Sequence, residues 1–253
     1  MLVKINRDEF LRNLQSVQPG LAKREVAEQT TCIVFQDGVA FTYDDEVTCR
    51  CPTGLDKSIK GAVQAKGLLT ILSKLTCEFV RVGIKGGELI IRTKTQKGKS
   101  ETGIPIESEI SLPIDSVEQP KEWKKLHPDF AEAINIVRRC AAKTEDEFNL
   151  ACVHIHPKWV EASDDHQFCR WRMKTGISTP TLVRRGSVEH ITSLGMTDLG
   201  ETESWIHFRN PNGLVLSCRR FTDQFPELGH LTKLEGKPIK LTASLGEAAD
   251  RAA

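Results

Sequence analysis

No stretch of the 253 residues approaches the roughly 18 consecutive apolar residues that a membrane-spanning helix requires. The opening Met1-Leu2-Val3-Lys4-Ile5 alternates like a strand and carries no signal-peptide apolar block. Eight cysteines are present, Cys32, Cys49, Cys51, Cys77, Cys140, Cys152, Cys169 and Cys218, yet no CxxC pair occurs. They are scattered, several inside apolar strand-like runs, which predicts reduced, mostly buried thiols in a cytoplasmic protein rather than a disulfide framework. Cys49 and Cys51 would face one side of a strand, but no second ligand pair follows, so no metal site is expected there. P-loop, GxSxG and GxGxxG signatures are missing, as are helix-turn-helix, zinc-finger and RNA-stacking motifs. Net charge is only +1, which excludes a polycation. Contact with nucleic acid would need cations sorted onto one face.

What the chain does have is internal repetition. Residues 9–50 align on 129–170 without a gap, at an offset of 120. Phe10/Phe130, Val17/Val137, Ala22/Ala142, Lys23/Lys143, Glu25/Glu145, Cys32/Cys152, Asp44/Asp164, Asp45/Asp165, Cys49/Cys169 and Arg50/Arg170 are identical. Composition alone would give about two or three such pairs. Apolar residues make up 39% of the chain, enough for a substantial core.

Each copy reads as the same α+β unit. Apolar residues at i, i+4 and i+7 predict a first helix at 7–17 and 128–142, capped in the first copy by Asn6. Short strands follow at 32–35, 39–43 and 47–51, matched by 152–155, 159–162 and 167–173. The Asp44-Asp45 and Asp164-Asp165 pairs fall in the turns between strands, where an aspartate side chain bonds nearby backbone amides. A second helix is expected at 65–74 and 184–194. Closing strands are expected at 78–84 and 89–93, and at 205–209 and 214–219. These units divide the chain into a first module, 1–118, and a second, 119–236. Residues 237–253 are expected to begin an incomplete third module or to form a C-terminal tail.

Cations recur on equivalent helices and just beyond them. Arg12, Lys66, Arg139, Arg184 and Arg185 sit on helix faces or starts, and Lys23, Arg24 and Lys143 follow the first helix of each copy. If the helices share a concave face, these charges collect on it and can touch phosphates without reading sequence. Ordinary solvated helix faces are the alternative reading.

Several segments resemble the bacterial DNA polymerase III beta subunit, the sliding clamp. KINRDEFLRNLQSV is similar to that family's first strand and helix, and EASDDHQFCRW resembles its T-D-G-H-R-L segment. FTDQFPELGHL resembles its D-G-R-F-P-D-Y stretch, and GKPIKLTASLGEAADRA resembles the start of its third domain. The resemblance implies tandem α+β clamp modules, with antiparallel sheets outside and paired helices on the inner face. It implies a non-enzymatic processivity factor that self-associates into a ring around double-stranded DNA. It also implies partners, a DNA polymerase and the clamp loader, that dock short peptide motifs, and it calls for no cofactor. Carried over by position, the peptide pocket would comprise Leu150, Ser163, His166, Phe168, Pro226 and Leu231. Asp165 replaces the family's glycine and Gln167 its arginine. The DNA contacts would be Arg12, Lys23, Arg24, Lys66, Arg139, Lys143, Arg184 and Arg185. Two alternatives carry different chemistry. A duplicated scaffold would bind protein only. A metal-dependent hydrolase would use Asp164, Asp165 and His166 with the same-side pair His154 and His156.

Overall fold

The computed structural model describes residues 2–25, 27–95, 98–144, 148–233 and 236. Residues 237–253, expected as a third-module start or tail, lie outside them. The first pass of the chain is β1 (Val3–Asn6), α1 (Arg7–Ser16), β2 (Cys32–Gln36), β3 (Val39–Tyr43), β4 (Val47–Pro52), β5 (Gly61–Gln64), α2 (Ala65–Lys74), β6 (Phe79–Lys85), β7 (Glu88–Thr95) and β8 (Gly98–Pro105). The second is β9 (Lys124–Lys125), α3 (Phe130–Val137), β10 (Cys152–His156), β11 (Trp159–Ser163), β12 (Phe168–Arg172), β13 (Thr181–Arg184), α4 (Arg185–Ser193), β14 (Asp198–Glu201), β15 (Trp205–Arg209) and β16 (Val215–Arg219). The pairs β2/β10, β3/β11, β5/β13 and α2/α4 each begin 120 residues apart.

The repetition extends to single hydrogen bonds. Ala22 donates its amide to the Thr30 carbonyl at 3.0 Å, and Ala142 donates to Leu150 at 2.8 Å. The Asp44 side chain accepts from the amides of Glu46 and Val47, and Asp164 accepts from His166 and Gln167. Asn6 caps α1 by accepting from the Glu9 amide at 3.0 Å. The helix expected at 128–142 is shorter than its periodicity suggests. Its last part tightens into a 3-10 turn, Arg138–Cys140, just as α1 is followed by Gln18–Gly20. β5, β8, β9, β13 and β14 had no sequence-based expectation. β8 is polar and exposed up to Ile104, its one buried residue, and its pairing with β7 makes it a strand.

Three antiparallel sheets result: β1-β6-β7-β8, β12-β11-β10-β13, and an eight-stranded sheet β5-β2-β3-β4-β16-β15-β14-β9. The junction of the two passes is the β4–β16 ladder, with Leu216 opposite Cys49 and Cys218 opposite Val47. Directly opposed residues share a sheet face. Cys49 and Val47 belong to the core that contains Phe10 and Leu14 of α1. The Cys218 thiol reaches the Ser187 carbonyl of α4 at 3.7 Å. Both helix pairs therefore lie on the same face of one continuous sheet. On the opposite face, Leu112, Ile114 and Val117 of the linker between β8 and β9 cover Cys32, Val34 and Tyr43 of the first pass and Trp205 of the second.

Ion pairs lace the junction: Arg219 meets Asp45 at 3.1 Å and Arg184 meets Glu46 at 3.1 Å. The two equivalent aspartates report its geometry. Burial raises the Asp44 carboxyl above its ordinary range, whereas hydrogen bonds from Gln167 hold Asp164 below it. The β4 edge is covered by β16, and β12 is the edge strand of its sheet.

His207 lies fully buried on the linker side, bonded to Ser217 at 2.7 Å and Thr202 at 3.1 Å. Burial, then Arg50 and Arg220, push its pKa down to about 4. In the unfolded chain a histidine binds its proton below roughly pH 6.5. Between that value and about 4 the unfolded state takes up a proton that the native state refuses, so stability falls as pH falls through this window. Urea titrations at pH 7 and pH 5 should show this loss, and His207→Gln should flatten it.

Candidate nucleic-acid and peptide interface

The helix face carries cations on rigid supports. Arg12 is exposed on α1 and Lys66 in the first turn of α2. Arg139 is exposed in the 3-10 turn after α3, where its carbonyl accepts from Gln167. Lys23, Arg24 and Lys143 are exposed in the loops that follow. Arg185 opens α4, half-buried, donating to the Ala141 carbonyl at 3.2 Å. Arg184 departs from expectation. It ends β13 instead of starting a helix, and its guanidinium stacks over Phe148 at 4.3 Å while pairing with Glu46. Strand alternation turns it away from Val183 and the core, to the side opposite the helices.

A second cluster forms where the strand β12 meets the segment 221–232. Glu161 is only 2% exposed, yet it stays ionised. Burial pushes its pKa up, but hydrogen bonds from His154, Trp159 and Arg170 outweigh this and hold it below the ordinary carboxylate range. Trp159 Nε1 and His154 Nδ1 each lie 2.7 Å from Oε1, and Arg170 Nε lies 2.6 Å from Oε2. The Arg170 guanidinium continues over the Trp159 ring at 4.7 Å and the Phe168 ring at 5.4 Å. Cys152, Leu182 and Phe225 pack together below the segment. A cavity of about 560 Å³ opens between Arg170, Trp171, Arg172 and Thr232.

Of the expected pocket residues, His166, Pro226 and Leu231 are exposed and Phe168 is half-buried. Leu150 and Ser163 are buried, at 4% and 5% exposure, so they offer a ligand little surface. Ser163 instead ties the turn, donating to the Gln167 carbonyl at 2.9 Å. Sequence reasoning missed Glu161, Arg170 and Trp159. The signal was present in Glu161 and Arg170, charges placed on alternate positions of apolar strands. The hydrolase candidates have other occupations: His154 bonds Glu161, His156 stacks on Trp159 at 3.6 Å, and Asp164 binds turn amides.

No family model matches the sequence, and no curated protein matches it significantly. Solved structures do. A DNA polymerase sliding clamp from Bacillus subtilis superposes with a TM-score of 0.75 at 17% identity, covering 92% of this chain and 68% of that one. The chain has the fold of the bacterial sliding clamps. A Helicobacter pylori beta clamp bound to a DNA ligase peptide matches at TM-score 0.75 and 15% identity, over 93% of this chain and 70% of that one. A Pseudomonas aeruginosa sliding clamp bound to griselimycin matches at 0.77 and 13%, over 93% and 69%. Within this clamp fold the Asp165 substitution has a physical reading. Its φ is +70° and that of its counterpart Asp45 is +79°, a left-handed turn position. Glycine suits it best, and aspartate is one of the few other residues that visit it.

Proposed function

We propose that the chain is a sliding clamp. In this reading two modules, 1–118 and 119–236, contribute their helices to the lining of a ring that encircles duplex DNA and tethers partner proteins. The observation that carries the reading is the shared side of the two helix pairs on one continuous sheet, with exposed Arg12, Lys66 and Arg139 on it. Lys23, Arg24, Lys143 and Arg185 complete the phosphate contacts, and Arg184 serves the junction. Mixed charge on this face favours loose, sequence-independent contact over tight binding. Ring closure would use the open β8 and β12 edges in head-to-tail pairing. The test is topological. Protein assembled on closed circular DNA should stay bound through gel filtration and leave when the circle is cut. Equal retention on circular and linear DNA would remove the reading.

Partners would dock peptides beside β12, on Phe168, His166, Pro226 and Leu231. Phe168→Ala should weaken a ligase-type peptide by about tenfold, roughly 1.4 kcal/mol, while leaving the thermal midpoint within a few degrees. Fluorescence polarisation reads the first and calorimetry the second. Unchanged affinity would place the pocket elsewhere.

A further inference from the structure

The outer sheet faces differ in how they are covered. The linker covers β5-β2-β3-β4, the segment around Phe221–Leu228 covers β12-β11-β10-β13, and Gly200 of β14 lies against Pro120. Among the described residues no such segment covers the outer face of β1-β6-β7-β8, and its side chains form a basic row. Lys4 stands opposite Arg81, Arg81 opposite Arg92, and Arg92 opposite Glu101. In the next row Lys94 stands opposite Lys99. All five cations are exposed. Arg92 pairs with Glu101, and Lys4 sits over the exposed Phe79 ring at 3.9 Å. Among the described residues Arg81, Lys94 and Lys99 have no ion-pair partner. Like charges placed directly across a ladder destabilise a sheet. A fold that keeps several of them together, around a groove of about 1480 Å³, carries a cost that an anionic ligand would relieve.

We propose that this face docks an acidic, extended segment of a partner protein. Charge complementarity names the chemistry. Cations repeat at roughly 4.8 Å across strands and about 6.8 Å along them, a spacing that alternate carboxylates of an extended chain can follow. Phe79 supplies an apolar contact. Its ring is already capped by Lys4, which leaves no bare aromatic platform for nucleobases. The surface lies on the side of the molecule away from the helices.

The experiment uses the full chain and a fluorescent twelve-residue peptide of alternating glutamate and leucine or threonine. The parent should bind it with an affinity that falls as salt rises. Arg81→Glu with Lys94→Glu should bind at least about tenfold more weakly, and the milder Arg81→Gln with Lys94→Gln a few-fold more weakly. Thermal midpoints should be unchanged or higher, because like-charge repulsion is relieved. Retention on closed circular DNA should also be unchanged, which separates this proposal from the clamp reading. Equal peptide affinity in parent and variants overturns it. So does a lowered midpoint in both variants, which would make the cations structural. Tighter binding of oligothymidylate than of the peptide, lost in the same variants, would make the face a nucleic-acid surface and equally overturn it.

Discussion

Glu161→Ala should destabilise the chain by about 3–5 kcal/mol, the cost of leaving a buried ion unpaired. The carboxylate is 3% exposed at its side chain and Arg170 only 11%. Without Glu161 the guanidinium, Trp159 Nε1 and His154 lose their common acceptor inside the sheet face. Replacing both charges, as Glu161→Leu with Arg170→Leu, should recover most of the loss, since no orphaned charge remains. Urea denaturation of the three proteins measures this. A single variant within about 1 kcal/mol of the parent would show that water solvates the cluster freely. Because the folded-state pKa of Glu161 is depressed, its contribution is full above the unfolded carboxyl value and fades as pH falls through the folded one.

Arg12→Glu, Lys66→Glu and Arg139→Glu together should weaken association with duplex DNA by at least about a hundredfold. They should also flatten its salt dependence, since each lost phosphate contact removes about 0.9 from the log–log slope. Arg184 is left out of this set on structural grounds. Its reversal would oppose Glu46 across the β4–β16 junction and confuse a binding defect with a folding one. Surface reversals at the three chosen positions should leave the thermal midpoint nearly unchanged, because all three side chains are exposed. A triple variant that slides and releases like the parent would detach these helices from DNA.

The repeat was the most legible feature because an offset of 120 survives in identities that do structural work. Cys32 and Cys152 open equivalent strands, and Asp44 and Asp164 hold equivalent turns. Helices were legible where an apolar stripe and a cap coincide, as at Asn6, Phe10 and Leu14. β8 was not, because Gly98–Pro105 has no apolar alternation and owes its form to β7. Arg184 was misplaced for a related reason. The helix start and the strand end are adjacent, and a shift of one residue moves a side chain to the opposite face of a sheet. The Glu161–Arg170 cluster beside β12 was not legible, because it depends on cross-strand register, which periodicity does not reveal.

Photocrosslinking from defined sites most directly tests whether the helices face DNA. A benzophenone side chain at Gln15 on α1 or Ile136 on α3 should label DNA in complexes held on closed circles, and labelling should vanish on linearisation. The same probe at Glu101 on β8, which faces away from the helices, should give no DNA label. Labelling from the β8 site, or none from either helix site, would contradict the account.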